Sequence, residues 1–558
     1  MSRLPSTAAS RASSPVPPEP PVPPGDARPR PRPLAAAHQL NLGLPLELPR
    51  LPIEPDWQEQ PRLWGHSFHP MASYLASFPA ALAHAFIARY SRRGDVVLDP
   101  FSGRGTVPLQ ACVEGRIGVG NDLNPLAYLL TAAKVEPANP AEASTRLLAL
   151  RLAWLADPGP WLELAAEAAE RPGDPSIRVP VAGGLAAAAG ERAELTAASG
   201  GTGEGVGAGS ERPADEPLPE EVALAFHPRT LAQLLFARAT LDPTDRVDRF
   251  LLAALSGILH GKRPSYLTEL MPNAFSMARR YVRTFIRQTG YRPPERDVFE
   301  LLGAKLRRLY RDPLPTADGI ALLGDARDVG PRLAAELRRR ALPERVRLVV
   351  GSPPYLRVVK YGYYNWLRAW LLGLSATAID ATLDAAHRRG PYLVFLREVL
   401  AGLRPILTDD AVVVLVVGDV ETDRGRAHPD GHALAEQVWH TAAEPLGYEL
   451  AGVVVDRVAA GRKLTKVWGA EAGRATKVDR ILVLGATRLG RRRALDAATI
   501  PVDWGRAGGL RLVDRPVGRR SAGSTTTAGS TTDAEPTTAA GPRVAAGPRV
   551  AAGPTTEP

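Results

Sequence analysis

The chain has 558 residues, 45% of them hydrophobic, with 54 prolines, 51 glycines and a formal net charge of +10. This length allows two or three domains and a sizeable core, and the positive excess suits a polyanionic partner such as nucleic acid. A single cysteine, Cys112, excludes an intrachain disulfide and a multi-cysteine zinc site, so no metal is expected. No run reaches the roughly 18 to 20 apolar residues of a membrane span, and the cysteine usage fits a reducing, cytoplasmic location.

Residues 1–60 read as a disordered Pro-rich tail, PVPPEPPVPPG and then RPRPRP, because such runs favour extended polyproline conformations and bury no core. The acid-free start MSRLPSTAASRASS has some character of an organelle transit peptide. No secretory-type apolar stretch follows it, and a cytoplasmic tail is the reading. Residues 61–140 carry a helix-like segment, a strand, a glycine loop and a helix. Residues 141–315 read as an insert, with a low-complexity loop near 170–218 and a mostly helical part after it. Residues 316–490 alternate strands and helices again, and 491–558 read as a linker and low-complexity tail with repeated GPRVAA.

VVLD at 96–99, GVGND at 118–122, RLVVGS at 347–352, AVVVLVVGD at 411–419, LAGVVVD at 450–456 and RILVLG at 480–485 are short Val-rich runs. Continuous apolar strands between helices predict an open α/β fold with a parallel sheet buried on both faces. Ligands of such a sheet lie at the carboxyl ends of its strands.

The run Gly94–Thr106 ends a strand in Asp99 and then turns through Pro100, Phe101, Ser102, Gly103, Arg104 and Gly105 into a helix beginning near Thr106. The two glycines permit a tight turn and a close backbone approach to a ligand. The helix start offers free N–H groups. About twenty residues further, Asp122 ends a second strand, where an acid can grip a ribose diol. No Gly-Lys-Ser/Thr follows the loop, which argues for a nucleoside cofactor over a bare phosphate. The second diagnostic segment is Ser352-Pro353-Pro354-Tyr355 at the end of a buried strand. Proline cannot continue a central strand, and two prolines make a stiff turn that can hold a carbonyl in one direction.

DPFSGRGT followed by GNDLNP, and then SPPY, resembles the motif series of the amino-directed (N4-cytosine or N6-adenine) DNA methyltransferases. The segment 66–91 is similar in position to the helical motif that precedes the glycine loop in that family. The resemblance implies a Rossmann-like S-adenosylmethionine-dependent methyltransferase sheet. It implies that Asp99, Pro100, Phe101, Ser102, Gly103, Gly105 and Thr106 surround the methionine part of S-adenosyl-L-methionine and that Asp122 holds its ribose. Leu323-Gly324-Asp325-Ala326-Arg327 looks like the family's third acidic segment, with Asp325 and Ala326 at the cofactor's adenine. A loop aspartate paired with Arg327 is the plain alternative. Serine in first place of the tetrapeptide is more typical of cytosine-N4 enzymes. Roughly 200 residues separate Asp122 from Asp325, a departure that the insert would account for.

The chemistry is consistent with those residue types. An exocyclic amino nitrogen is a poor nucleophile because its lone pair is delocalised into the ring. Acceptors around its N–H groups, here Ser352 Oγ and the Pro353 carbonyl, would favour a tetrahedral nitrogen, while Tyr355 would stack on a flipped base. Cys112 follows the glycine loop and not a proline turn, so it reads as a core residue and not as the nucleophile of cytosine-C5 chemistry. Arg279, Arg283 and Arg287 at i, i+4 and i+8, with Lys305, Arg307, Arg308 and Arg311 beyond, suggest a DNA-tracking face. Arg357 and Lys360 follow the tetrapeptide among aromatics, as do Arg368 and the tryptophans Trp366 and Trp370, which core packing should claim. DNA is thus the expected partner, with room for a separate restriction endonuclease. An RNA amino-methyltransferase acting on guanine N2 and a catalytically inactive DNA-binding relative are the alternatives.

Overall fold

The computed structural model describes residues 48–74, 77–180, 215–271, 275–354, 360–382, 388–418, 434–457 and 478–505. The Val-rich runs become strands at the predicted places. Helix α1 (Ala80–Tyr90) leads into β1 (Val96–Asp99), α2 (Thr106–Val113), β2 (Ile117–Asp122) and α3 (Pro125–Val135). β3 (Arg178–Val179) and β4 (Glu216–Pro217) form a small antiparallel pair. The later strands are β5 (Ile320–Leu323), β6 (Val346–Gly351), β7 (Leu407–Gly418), β8 (Glu449–Arg457) and β9 (Val478–Gly485).

Seven strands make one sheet in the order β5-β2-β1-β6-β7-β9-β8. β5, β2, β1, β6 and β7 run parallel. β9 is antiparallel to both neighbours, which corrects the expectation of a wholly parallel sheet. A strand buried on both faces is apolar throughout whichever way it runs, so composition does not report its direction. The result is the expected Rossmann-like sheet with one reversed strand. Strand order reverses between β1 and β6, and that switch point opens a crevice at the carboxyl ends.

One face of the sheet, with Leu98, Val349, Val413 and Leu415, is covered by Leu396, Leu400 and Leu403 of the helix Arg389–Leu403. The other, with Val97, Leu348, Val350 and Val414, is covered by Phe86 and Tyr90 of α1. Each such side chain contributes roughly 1.5–3 kcal/mol on burial. Leu126, Leu129 and Leu130 of α3 share a third apolar cluster with the helices Pro140–Ala156, Pro228–Thr240, Arg246–Ser256 and Val298–Leu309. The residues read as an insert therefore build their core directly onto α3. Among the described residues, no helix is long and apolar enough to cross a membrane.

Two expected boundaries move. Residues 48–60 are not tail: Leu51, Ile53 and Trp57 are buried, and Leu51 N–H donates to the Val453 carbonyl at 3.0 Å. Past residue 490, the helix Arg488–Ala498 packs through Ala494, Ala497 and Ala498. Three apolar side chains outweigh the Pro-rich composition in the first case, and a small-residue helix face does so in the second. The low-complexity segments 1–47, 181–214 and 506–558 lie outside the described residues.

Candidate active site

The ends of β1, β2, β5 and β6 converge on one cavity of about 1050 Å³ that opens to solvent. Asp99, Pro100, Phe101, Ser102, Gly103 and Thr106 line it from the β1 loop, Asp122 from β2, Asp325 and Ala326 from β5, and Ser352 and Pro354 from β6. Residues some 250 positions apart in sequence are thus brought together. Gly105 and Pro353 are not in the lining. Tyr355 and Arg357 lie outside the described residues.

The glycine loop is held from behind. Gly103 and Gly105 have φ of +52° and +75°. A Cβ on Gly105 would lie 2.9 Å from Thr131 Oγ1 and 3.0 Å from Thr131 Cα, so Gly105 serves the packing of α2 against α3. Ser102 N–H donates to the Asn121 carbonyl at 2.9 Å, and Ser102 Oγ lies 3.1 Å from Thr131 Oγ1. Lys134 Nζ donates to the Arg104 carbonyl between the two glycines at 2.5 Å. Burial, with the charges of Arg104 and Lys305 adding to it, holds the Lys134 amine well below its usual range.

Asp122 joins the two loops. Its Oδ2 accepts from Gly103 N–H at 2.8 Å and its Oδ1 from Asn124 N–H at 2.9 Å. Burial pushes its carboxyl up to about 6, although backbone N–H donors oppose that shift. Asn124 is also the N-cap of α3, accepting from Leu126 N–H at 3.0 Å ahead of Pro125. Burial likewise pushes Asp99 well above the usual carboxylate range, against its bond from Phe101 N–H and reinforced by the Asp122 charge. Two carboxylates facing one cavity suit a ligand that brings positive charge and hydroxyl donors.

Asp325 is engaged by its neighbour. Its carboxylate accepts from Arg327 Nη2 at 2.6 Å and Nε at 3.0 Å. Burial raises its carboxyl, but the hydrogen bonds from Arg327 outweigh this and the net shift is downward. The pairing that the sequence offered as the plain alternative is therefore present, and Asp325 still lines the cavity. At the β6 end, Ser352 Oγ donates to the Val416 carbonyl at 3.3 Å, which leaves its lone pairs for a donor in the cavity.

Sequence reasoning did not single out Tyr74, Phe78 or Phe395 as lining residues, and it placed Tyr361 only among the aromatics that follow the tetrapeptide. Tyr74 and Phe78 lie in the segment 66–91, which the sequence matches only by position to the helical motif preceding the glycine loop. Tyr74 OH accepts from Asn124 Nδ2 at 2.9 Å, and its ring stacks on Tyr361 with centroids 5.6 Å apart. Cys112 is fully buried and its thiol is pushed up to about 12, first by burial, in accord with a core role.

The basic stripe looks different in three dimensions. Arg283 pairs with Glu221 at 2.5 Å and Arg287 with Glu220 at 2.9 Å, while the Arg279 guanidinium lies 5.0 Å from the Trp366 ring centroid. These contacts dock the helix Arg279–Thr289 onto neighbouring elements instead of presenting a free row of cations. Lys305 and Arg368 are buried. Lys305 Nζ donates to the Pro70 carbonyl at 3.1 Å and Arg368 Nε to the Ser256 carbonyl at 3.2 Å. Neither belongs to a surface face. Trp366 and Trp370 are in the core as expected, and Lys360 is exposed beside Tyr361.

Residues 48–132 match the family model described as DNA methylase. The chain is 32% identical over 71 residues to the type II methyltransferase M.MjaII of Methanocaldococcus jannaschii, covering 13% of each protein. It is 37% identical over 78 residues to the type II methyltransferase M.XycI of Xanthomonas campestris pv. cyanopsidis, covering 14% of this chain and 26% of that protein. The chain therefore spans about a quarter or less of the length of these curated relatives. The solved structure of an rRNA methyltransferase from Streptomyces viridochromogenes overlays at 13% identity with a TM-score of 0.25, across 75% of this chain and 88% of that one. An overlay at that score supports no conclusion.

Proposed function

We propose that this member of the amino-directed DNA methyltransferase family transfers a methyl group from S-adenosyl-L-methionine to the exocyclic amino group of a base in a specific DNA site, with cytosine N4 as the target. The observation that carries the proposal is the convergence of Asp99, Asp122 and Ser352 on one cavity at the sheet's switch point.

The residues present fit the cofactor. Asp122 has two backbone donors on its oxygens and keeps further lone pairs for the ribose hydroxyls. Asp99, pushed up by burial and by the Asp122 charge, is relieved by a nearby cation, which the methionine ammonium and the sulfonium provide. The Gly103 turn keeps the wall close to that ligand, and Asp325 and Ala326 border the same space for its adenine. When bound, S-adenosyl-L-methionine supplies an electrophilic methyl group.

The protein's own part is orientation. Ser352 Oγ and the Pro353 carbonyl accept the N–H groups of the target amine, which turns the nitrogen lone pair out of the ring and towards the methyl. Such positioned dipoles act most strongly where water is excluded. Tyr355 stacks on the extruded base, a contact worth roughly 1 to 3 kcal/mol. The preference for cytosine rests on serine at position 352. Calorimetry with S-adenosyl-L-methionine, followed by labelled methyl transfer to duplex DNA and to RNA, tests the reading. Absence of cofactor binding, or label in RNA alone, contradicts it.

A further inference from the structure

We infer that the groove lined by Arg50, Arg457 and Arg480 at the β8 edge receives the phosphodiester backbone of the DNA substrate. The inference rests on the DNA reading proposed above and adds a second contact region to it.

The groove is built by strand geometry. The segment carrying Arg50 runs along β8, with Arg50 bridged to Val453 and Val453 N–H donating to the Pro49 carbonyl at 2.8 Å. In the β8–β9 pair Arg457 faces Val478 and Val455 faces Arg480. Side chains alternate along a strand, so Val453, Val455, Arg457 and Arg480 share one face, and all four line the groove. The acids of the same strands turn to the other face. Asp456 is buried there and accepts from Trp57 Nε1 at 3.0 Å and from Gln58 Nε2. Asp479 is buried as well. Alternation thus sorts three guanidinium groups into a recess of about 550 Å³ that no acidic residue lines among the described residues.

Its position relates it to the candidate active site. The register runs from Gly351 to Leu415, from Leu415 to Leu482 and from Leu482 to Val453. Val453 is therefore level with the residue before Ser352 and three strands away, about 14 Å at a spacing of roughly 4.8 Å. Arg457 lies further towards the carboxyl ends, where the cavity opens. Leu48 and Val455 beside the groove and Phe101 and Phe395 of the cavity pack on the same apolar cluster, so both sites occupy one layer of the sheet. A span of about 14 Å falls well inside one duplex turn of about 34 Å. A phosphate a few nucleotides from an extruded base can reach the groove. Arginine is suited to that contact because its planar fork matches phosphate oxygens.

The test uses the full chain, a duplex of about 30 base pairs as probe, and binding measured across a salt series. Each phosphate neutralised contributes about −0.9 to the slope of log K against log salt. The triple variant Arg50→Gln/Arg457→Gln/Arg480→Gln is expected to flatten that slope by about 2 to 3 and to weaken binding at least tenfold, with cofactor affinity unchanged. The triple variant Arg50→Lys/Arg457→Lys/Arg480→Lys keeps the charge and is expected to keep the slope. A wild-type slope in the glutamine triple overturns the inference, as does a lysine triple that loses the slope equally. If the glutamine triple loses cofactor binding, the three single variants replace it, and three unchanged slopes overturn the inference. A wild-type chain that neither binds nor methylates DNA defeats the functional reading itself. A wild-type chain that methylates DNA beside an unchanged slope defeats only the groove.

Discussion

The amide of Gly103 donates to Oδ2 of Asp122 at 2.8 Å, so the turn after the first strand and the acid ending the second are one unit. Asp122→Ala removes the carboxylate from the loop and, on the proposed reading, from the ribose. At roughly 1.5–3 kcal/mol for each hydrogen bond to a charged group, S-adenosyl-L-methionine affinity should fall at least tenfold by calorimetry. Unchanged affinity would move the ribose site elsewhere.

Cofactor binding should also depend on pH. Burial raises the Asp122 carboxyl from its usual 3.8 to about 6. The folded chain then holds an extra proton between about pH 4 and 6, and the stability of the ligand-free protein falls as pH rises through that window. Ribose hydroxyls need the ionised acceptor, so cofactor affinity should weaken as pH falls below about 6. Asp99 is shifted in the same direction, first by burial, so its carboxyl adds to the fall in stability as pH rises above the usual carboxylate range. Melting curves and calorimetry from pH 4 to 8 check both trends, and Asp122→Asn should flatten its share of each.

Much of this unit was legible in the sequence because strand, acid and glycine turn are local in the chain. VVLD at 96–99 became β1 without a shift. β5 (Ile320–Leu323) does not stand out in the sequence: IALL is as short as VVLD but lacks its valines, and Ala and Leu suit a helix as well as a strand. The Arg279, Arg283 and Arg287 stripe was correct as a helix face, but spacing within a helix does not reveal Glu220 and Glu221 on a neighbouring one. Leu51, Ile53 and Trp57 were hidden inside a Pro-rich context although each is buried. Tyr74 and Phe78 lie in a segment with an ordinary packing pattern, and only the fold brings them to the cavity wall. The groove at β8 joins residues some 400 positions apart, which no local pattern could connect.

The glycine loop makes a stability prediction with its own control. Gly105 has φ of +75° and no room for a Cβ, whereas Gly94 has φ of +84° with nothing within 4 Å of one. Gly94→Ala meets only the backbone cost, of order 1 kcal/mol. Gly105→Ala adds the clash with Thr131 and should cost about 2–4 kcal/mol in total. Chemical denaturation of both variants measures the difference, and equal losses would mean that α3 yields freely.

Ser352 separates chemistry from cofactor binding. Its hydroxyl lines the cavity from the β6 end and is held by the Val416 carbonyl at 3.3 Å. Ser352→Ala should lower single-turnover methyl transfer about ten- to a hundredfold, the effect of losing one strong hydrogen bond, with cofactor affinity nearly intact. An equal loss in both measurements would make Ser352 a structural residue of the cavity.

The proposed reaction is methyl transfer to an exocyclic amino group of DNA. Its most direct test is mass spectrometry of the nucleosides released from duplex DNA after incubation with the full chain and isotopically labelled S-adenosyl-L-methionine. Label is expected in N4-methylcytosine, with its rate of appearance lowered about ten- to a hundredfold by Ser352→Ala. Label in N6-methyladenine would change the base and keep the chemistry, whereas label in 5-methylcytosine, or in no DNA nucleoside at all, would rule out transfer to an exocyclic amino group of DNA.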